Sequence, residues 1–136
     1  MSKNVLITGA GNRIGSVIAT RLAANGYSVI IHYFRSASDA KNLAGAITKM
    51  GGKAALLPAD LSDKTERQTL VDAAQKPFGP LSVLINNASI FEADSALTLS
   101  EELWDTHFEL HAKAPIFLAR DFARQLPGGE KGNIIN

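Results

Sequence analysis

Short apolar runs alternate with longer stretches in which apolar residues recur every three or four positions, and this alternation persists along the chain. Val5 to Thr8 is a nearly continuous apolar run that stops at glycines, as a strand buried on both faces does. Ile14, Val17, Ile18 and Leu22 follow at helical spacing, and Asn25-Gly26 closes that helix. Ser28 to Tyr33 reads as a second strand. Residues from about Ser38 to Met50 read as a second helix, stopped by Gly51-Gly52, and Lys53 to Ala59 as a third strand. Ser62 and Asp63 are candidate caps for a helix reaching about Lys76.

The breaker cluster Pro77-Phe78-Gly79-Pro80 precedes a fourth strand, Leu81 to Asn86. Thr98-x-x-Glu101 has the form of a capping box before a long helix holding Leu103, Trp104, Phe108 and Phe122. Pro115 lies inside that pattern and should kink or divide it. Gly128-Gly129 ends the helix, and Gly132 to Asn136 begins a fifth strand. Strands and helices in strict alternation imply right-handed βαβ units and a doubly wound parallel α/β sheet, in one domain over residues 1–136.

Composition narrows the function classes. A chain of 136 residues suits one domain with a proper core and is too short for two ordinary ones. With 46% apolar and 20% charged residues, and a net charge of +1 spread over both signs, there is no electrostatic footprint for nucleic acid or anionic lipid. The absence of cysteine excludes disulfides, thiolate metal sites and cysteine nucleophiles. It also fits a reducing compartment. No apolar run has the length of a membrane span, and the N-terminus lacks the apolar region of a signal peptide, so the expected location is the cytoplasm.

In such sheets, ligands bind beyond the carboxyl ends of the strands, where the strand order reverses. The turn Thr8-Gly9-Ala10-Gly11-Asn12-Arg13-Ile14-Gly15 occupies that place after the first strand. Its glycines permit a tight turn and close approach to a pyrophosphate, and the helix N-terminus beyond offers unpaired N–H groups. The bland alternative is a tight turn without a ligand. Arg13 opposes the helix macrodipole by a few tenths to about 1 kcal/mol unless an anion lies beside it; a solvated arginine is the other reading.

Cofactor choice is decided after the second strand, where a carboxylate selects NAD by binding its ribose hydroxyls. Here the segment is His32-Tyr33-Phe34-Arg35-Ser36, with no acid before Asp39. Arginine can grip a phosphate through two parallel bonds and serine can add a third, which favours NADP(H) over NAD(H). A solvated Arg35 with NAD as cofactor is the alternative. Asp60-Leu61 follows the third strand, where the carboxylate could accept a bond from an adenine amino group or serve as a helix cap. Asn86-Asn87-Ala88-Ser89 follows the fourth strand; its small residues permit close approach, and its amides can tie neighbouring loops together.

Together these segments resemble the short-chain dehydrogenase/reductase family, whose pattern is T-G-x-x-x-G-x-G, an Asp with a small apolar residue after strand three, and N-N-A-G after strand four. The resemblance spans essentially the whole chain. It implies a Rossmann-type sheet in the order 3-2-1-4-5, here ending after the start of strand five. It also implies a cofactor contact set of Gly9, Gly11, Asn12, Arg13, Ile14, Gly15, His32, Tyr33, Arg35, Ser36, Asp60, Leu61, Asn87, Ala88 and Ser89.

Two departures point to a branch. Arg13 replaces the middle glycine and Ser89 the glycine of N-N-A-G. With H-Y-x-R-S and N-N-A-S-x-F, the chain is similar to pteridine reductases and to bacterial dihydromonapterin or dihydrofolate reductases. That likeness implies a pterin-like substrate met by Arg13, Ser89 and Phe91, the phenyl ring stacking on the flat heterocycle. Without it, Phe91 reads equally as a hydrophobic loop anchor.

His111 stands where most of the wider family has asparagine. It is a branch marker, and a helix histidine is more often satisfied by a local partner than used as an acid or base. His107 lies four residues earlier, but no carboxylate constellation accompanies the pair, so no metal is expected.

The family's proton transfer uses a Tyr-x-x-x-Lys pair and a serine. Ile31 lies four residues beyond Tyr27 and Ala37 four beyond Tyr33, so neither tyrosine makes the motif. The expectation is therefore an N-terminal, cofactor-binding portion of an NADP-linked reductase of pterin-like or carbonyl substrates, inactive alone. A non-catalytic nucleotide-binding or assembly module and a 3-oxoacyl-type reductase are the alternatives. Self-association is expected through the helix near residues 98–126, which would cover an otherwise exposed apolar face.

Overall fold

The computed structural model describes residues 2–136. Five parallel strands form one sheet: β1 (Asn4–Ile7), β2 (Ser28–Tyr33), β3 (Lys53–Pro58), β4 (Val83–Ile85) and β5 (Asn133–Ile135), in the order β3-β2-β1-β4-β5. This is the doubly wound Rossmann-type arrangement that the alternation implies. Its helices are α1 (Arg13–Ala24), α2 (Ala37–Lys49), α3 (Lys64–Gln75), α4 (Glu101–Phe108) and α5 (Ala114–Gln125).

Successive β1 side chains point to opposite faces and so build two cores. Leu6, beside Ile30 and Leu84, packs with Leu70, Val71, Leu118 and Phe122 on the side of α3 and α5. Val5 and Ile7 pack with Val29, Ile31, Ala19, Ala23 and Ile47 on the side of α1 and α2. Beyond β3 the chain returns to the opposite side of β1, so the reversal point lies between the ends of β1 and β4.

Three expectations change. The buried stripe of α1 is Gly15, Ala19 and Ala23, while Ile14 and Val17 are 71% and 68% exposed. Small residues bring this helix close to the sheet, and the larger apolar side chains flank the contact or leave it. Second, α4 is capped by Ser100, which accepts from the Leu103 N–H at 3.1 Å; Thr98 instead accepts from the Ser95 N–H at 2.9 Å in the preceding turn. Third, Asp63 alone caps α3, accepting from the Glu66 N–H at 2.8 Å. Ser62 bonds to Asp60.

Pro115 divides the long helix as its chemistry requires. A π turn, Glu109–Lys113, separates α4 from α5, and the Ala114 N–H donates to the carbonyl of Glu109 five residues back. Proline lacks the N–H that an uninterrupted α ladder would need there, and a wider turn absorbs the defect. Buried Arg67 joins α3 to this turn, donating to the Leu61 carbonyl at 2.7 Å and to Glu109 at 3.1 Å. Glu109 also pairs with exposed Lys113, and the two cations, Lys113 foremost, hold its carboxyl below the usual range. Arg67→Ala should cost about 3 kcal/mol in denaturant unfolding, whereas Lys113→Ala should stay within about 0.5 kcal/mol.

Candidate functional site

The glycine turn is shaped from beneath by the segment after β4. Thr8 Oγ1 accepts the N–H groups of Asn87 and Ala88, each at 3.0 Å, and donates to the Ile85 carbonyl at 3.4 Å. One hydroxyl thereby uses its donor and both acceptor positions. The Asn87 amide returns the contact, its Nδ2 donating to the carbonyls of Thr8 and Gly9 at 3.0 Å each. The loop-tying role expected of the asparagines is met by Asn87. Thr8 was not foreseen as a site residue; its signal was a hydroxyl at the end of an apolar run.

Such closeness leaves no room for side chains. A Cβ on Gly9 would lie 2.8 Å from Ala88 Cα, and one on Gly15 only 2.5 Å from the Gly9 carbonyl oxygen. A Cβ on Gly11 would meet Ser36 Oγ at 2.5 Å, so the turn also touches the entrance to α2. Gly9 has φ 61°, and Arg13 is left-handed as well, at φ 49°. That conformation costs an arginine about 1 kcal/mol that glycine would not incur. Arg13, Asn12 and Ile14 are exposed at the opening of α1, which has no side-chain cap and no acid in its first turn.

The segment after β2 reaches the same region. Arg35 is exposed, its guanidinium 5.0 Å from the Phe34 ring centroid, and Ser36 is the N-cap residue of α2 without a side-chain cap bond. Tyr33 is half-buried against the α1–α2 core. Asp39, the first acid after β2, accepts from Asn12 Nδ2 at 3.3 Å.

His32, expected among the cofactor contacts, instead lies behind the turn, only 2% exposed, with both ring nitrogens bonded to backbone. Nδ1 accepts the Gly9 N–H at 3.0 Å and Nε2 donates to the Ala59 carbonyl at 3.0 Å. Burial pushes its pKa from 6.5 down to about 4, against smaller upward pulls from the Ala59 carbonyl and the Asp60 charge. Asp60 Oδ1 accepts from the N–H and hydroxyl of Ser62, at 2.9 and 2.6 Å, and Leu61 is buried beneath it.

Across β4, His111 in the π turn reaches Ser89: its Nε2 is 3.1 Å from Ser89 Oγ and accepts the Ile90 N–H at 3.3 Å. His107 Nδ1 donates to the Leu103 carbonyl at 2.8 Å, a local partner. A hollow of about 380 Å³ adjoins this place, lined by Asn86, Ala88, Leu110, His111 and Pro115 among others. Phe91 is 89% exposed on the loop that follows. The structure thus brings together the segments after β1, β2 and β4, and leaves the Phe91 side chain exposed on the loop that continues the last of them.

The profile of the short chain dehydrogenase family matches residues 3–136. The chain belongs to this family. An uncharacterised oxidoreductase of Methylorubrum extorquens is 35% identical over 98% of this short-chain dehydrogenase chain and 53% of its own length. Elsinochrome reductase 1 of Elsinoe fawcettii is likewise 35% identical, over 98% and 49%. Among solved structures, the FolM alternative dihydrofolate reductase 1 of Brucella suis in complex with NADP superposes with a TM-score of 0.91 at 39% identity, over 96% of this chain and 54% of that one. A short chain dehydrogenase of Burkholderia cenocepacia, also with NADP, gives 0.91 at 37%, over 97% and 53%. The chain spans about half the length of the relatives it matches.

Acid should loosen this short-chain dehydrogenase fold through His32. The unfolded imidazole takes a proton near 6.5 and the folded one only near 4, so its contribution is complete above 6.5 and is lost as pH falls to 4. The loss amounts to about 3 kcal/mol. Denaturant curves across that window should show a stability slope that His32→Asn removes; equal slopes in both proteins would contradict it.

Proposed function

We propose that this chain is the NADP(H)-binding portion of a short-chain reductase acting on a pterin-like or carbonyl substrate. The observation that carries the reading is Arg13, a cation held at φ 49° at the uncapped opening of α1. Strain kept at a helix N-terminus, with a charge of the unfavourable sign, is offset by an anion bound there. Gly9, Gly11 and Gly15 let the turn close tightly on Ala88, Ser36 and its own backbone, where a Cβ would clash, and such a tight turn at a helix opening suits a pyrophosphate. Asn12, Arg13 and Ile14 supply N–H groups at the helix opening, and Asn87, Ala88 and Ser89 border it from β4.

Arg35 and Ser36, at the entrance to α2 where Ser36 lies beside Gly11, are assigned to the extra phosphate that distinguishes NADP. Tyr33, Asp60 and Leu61 flank the adenine side. NADPH would supply the hydride. Relatives solved with NADP support the cofactor, and the dihydrofolate reductase among them supports the pterin-like class. Ser89, tied to His111 beside the hollow, and Phe91 on the adjoining loop are assigned to the substrate side. Cytoplasmic placement belongs to the same proposal.

No Tyr-x-x-x-Lys pair occurs in this sequence, so the isolated chain is assigned binding without turnover. Calorimetry should show NADPH binding at least about tenfold tighter than NADH, with Arg35→Asp reversing the order. Purified 136-residue protein should not oxidise NADPH with a dihydropterin or a carbonyl substrate. Equal affinity for the two nucleotides, or turnover, would contradict the reading.

The outer face of α4 and α5 is assigned to pairing with a second copy. Trp104 and Phe108 are stacked at 4.4 Å and exposed, as are Ile116 and Phe117. An open groove of about 500 Å³ lies here, lined by Asp105, Glu109 and Lys113 together with Phe108, Ile116 and Phe117. Charges of both signs beside one apolar patch suit a two-fold contact, in which the same surface meets itself. Sedimentation should show a dimer or larger species that Ile116→Glu converts to monomer; a wild-type monomer would refute this.

A further inference from the structure

Accepting the dinucleotide site proposed above, on which this inference rests, we infer that His32 is its positioning residue, holding the glycine turn in its binding shape without being reached by the cofactor. Three segments meet on this one residue. Its Nδ1 accepts from Gly9 after β1 at 3.0 Å, its own carbonyl accepts the Ala10 N–H at 2.9 Å, and its Nε2–H is bonded to Ala59 after β3 at 3.0 Å. The ring is therefore one tautomer, proton on Nε2 and lone pair on Nδ1.

The bond to Gly9 is the consequential one. Gly9 has a left-handed φ of 61° and lies against Ala88, where even a Cβ would stand 2.8 Å from backbone. Rotation of this peptide would break the fit with Asn87 and shift the N–H groups beyond it. With the N–H groups of Gly9 and Ala10 both taken by His32, the donors available to a phosphate are those further along, at the opening of α1. His32 thus decides which backbone donors face the ligand. The ring is 2% exposed, so it does this from inside the protein.

Two substitutions separate this role from general support. Asparagine places Oδ1 as far from Cβ as the histidine Nδ1, so His32→Asn keeps an acceptor for Gly9 and loses the bond to Ala59. Glutamine places its amide where Nε2 was, so His32→Gln keeps the Ala59 bond and leaves the Gly9 N–H without its acceptor. The experiment uses the full chain at neutral pH, with calorimetric titration by NADPH and amide hydrogen exchange at Gly9 followed by NMR.

His32→Asn should bind within about threefold of wild type and keep Gly9 protected, while His32→Gln, folded by its far-ultraviolet spectrum, should bind at least about tenfold more weakly and expose Gly9 to faster exchange. His32→Gln binding like wild type, or both variants weakening equally, would overturn the inference. Failure of wild type to bind any nicotinamide nucleotide would instead sink the site assignment. Gly9 exchange would then still decide whether His32 holds the turn: unchanged protection in His32→Gln refutes it. A histidine spectrum with the proton on Nδ1 also refutes it.

Discussion

At the reversal point of the sheet, the backbone after β1 lies directly on the backbone after β4, and the rest of the site depends on that contact. Two glycine positions tolerate no Cβ there, and the Thr8 hydroxyl with the Asn87 amide makes five hydrogen bonds across or beside the contact. Their effect is cooperative, because each polar group is buried or half-buried and would be costly if left unpaired. Parallel strands supply no hairpin to hold their ends together. In this fold the work is done by side chains just past the strands, where the ligand must also bind.

How much of this was legible in the sequence follows from the range over which each signal acts. Strand and helix order came from local periodicity, and Pro115 announced its own defect, since a missing N–H is a property of the residue. Gly9, Gly11, Arg13, Arg35 and Asn87 stood out because turn chemistry has a local signature. The α1 face was misjudged: Ile14 and Val17 carry the helical period, yet close packing against the glycine turn and the sheet favours Gly15 and Ala19. Volume at a distant contact decided that. The Thr98-to-Ser100 change has the same character, since either hydroxyl can cap a helix and only the path of the preceding loop chooses. His32 read as a cofactor contact; only the meeting of the segments after β1 and β3 on its ring shows where its nitrogens go.

Charge and conformation oppose local stability at the same spot. Arg13 combines a left-handed backbone with a cation at a helix N-terminus, and either feature alone would be relieved by glycine. The openings of α3 and α4 follow the stabilising rule: Asp63 and Ser100 cap them, and acids occupy their first turns. At α1 alone among the described helices a left-handed residue, Arg13, opens the helix, in the turn proposed above as the nucleotide site. Local sequence preferences are expected to fail where a ligand completes the structure.

The π turn between α4 and α5 has an angular consequence. Each α-helical residue advances the chain by about 100°, so the wider turn offsets the faces of the two helices it joins. Below it, α5 buries Ala114, Leu118 and Phe122; above it, no residue of α4 is buried. The same offset swings His111 toward Ser89. The segment therefore acts as a gear tooth between two cylinders: losing one residue there would leave both helices intact and change which side chains the protein shows to its loop and to its neighbours.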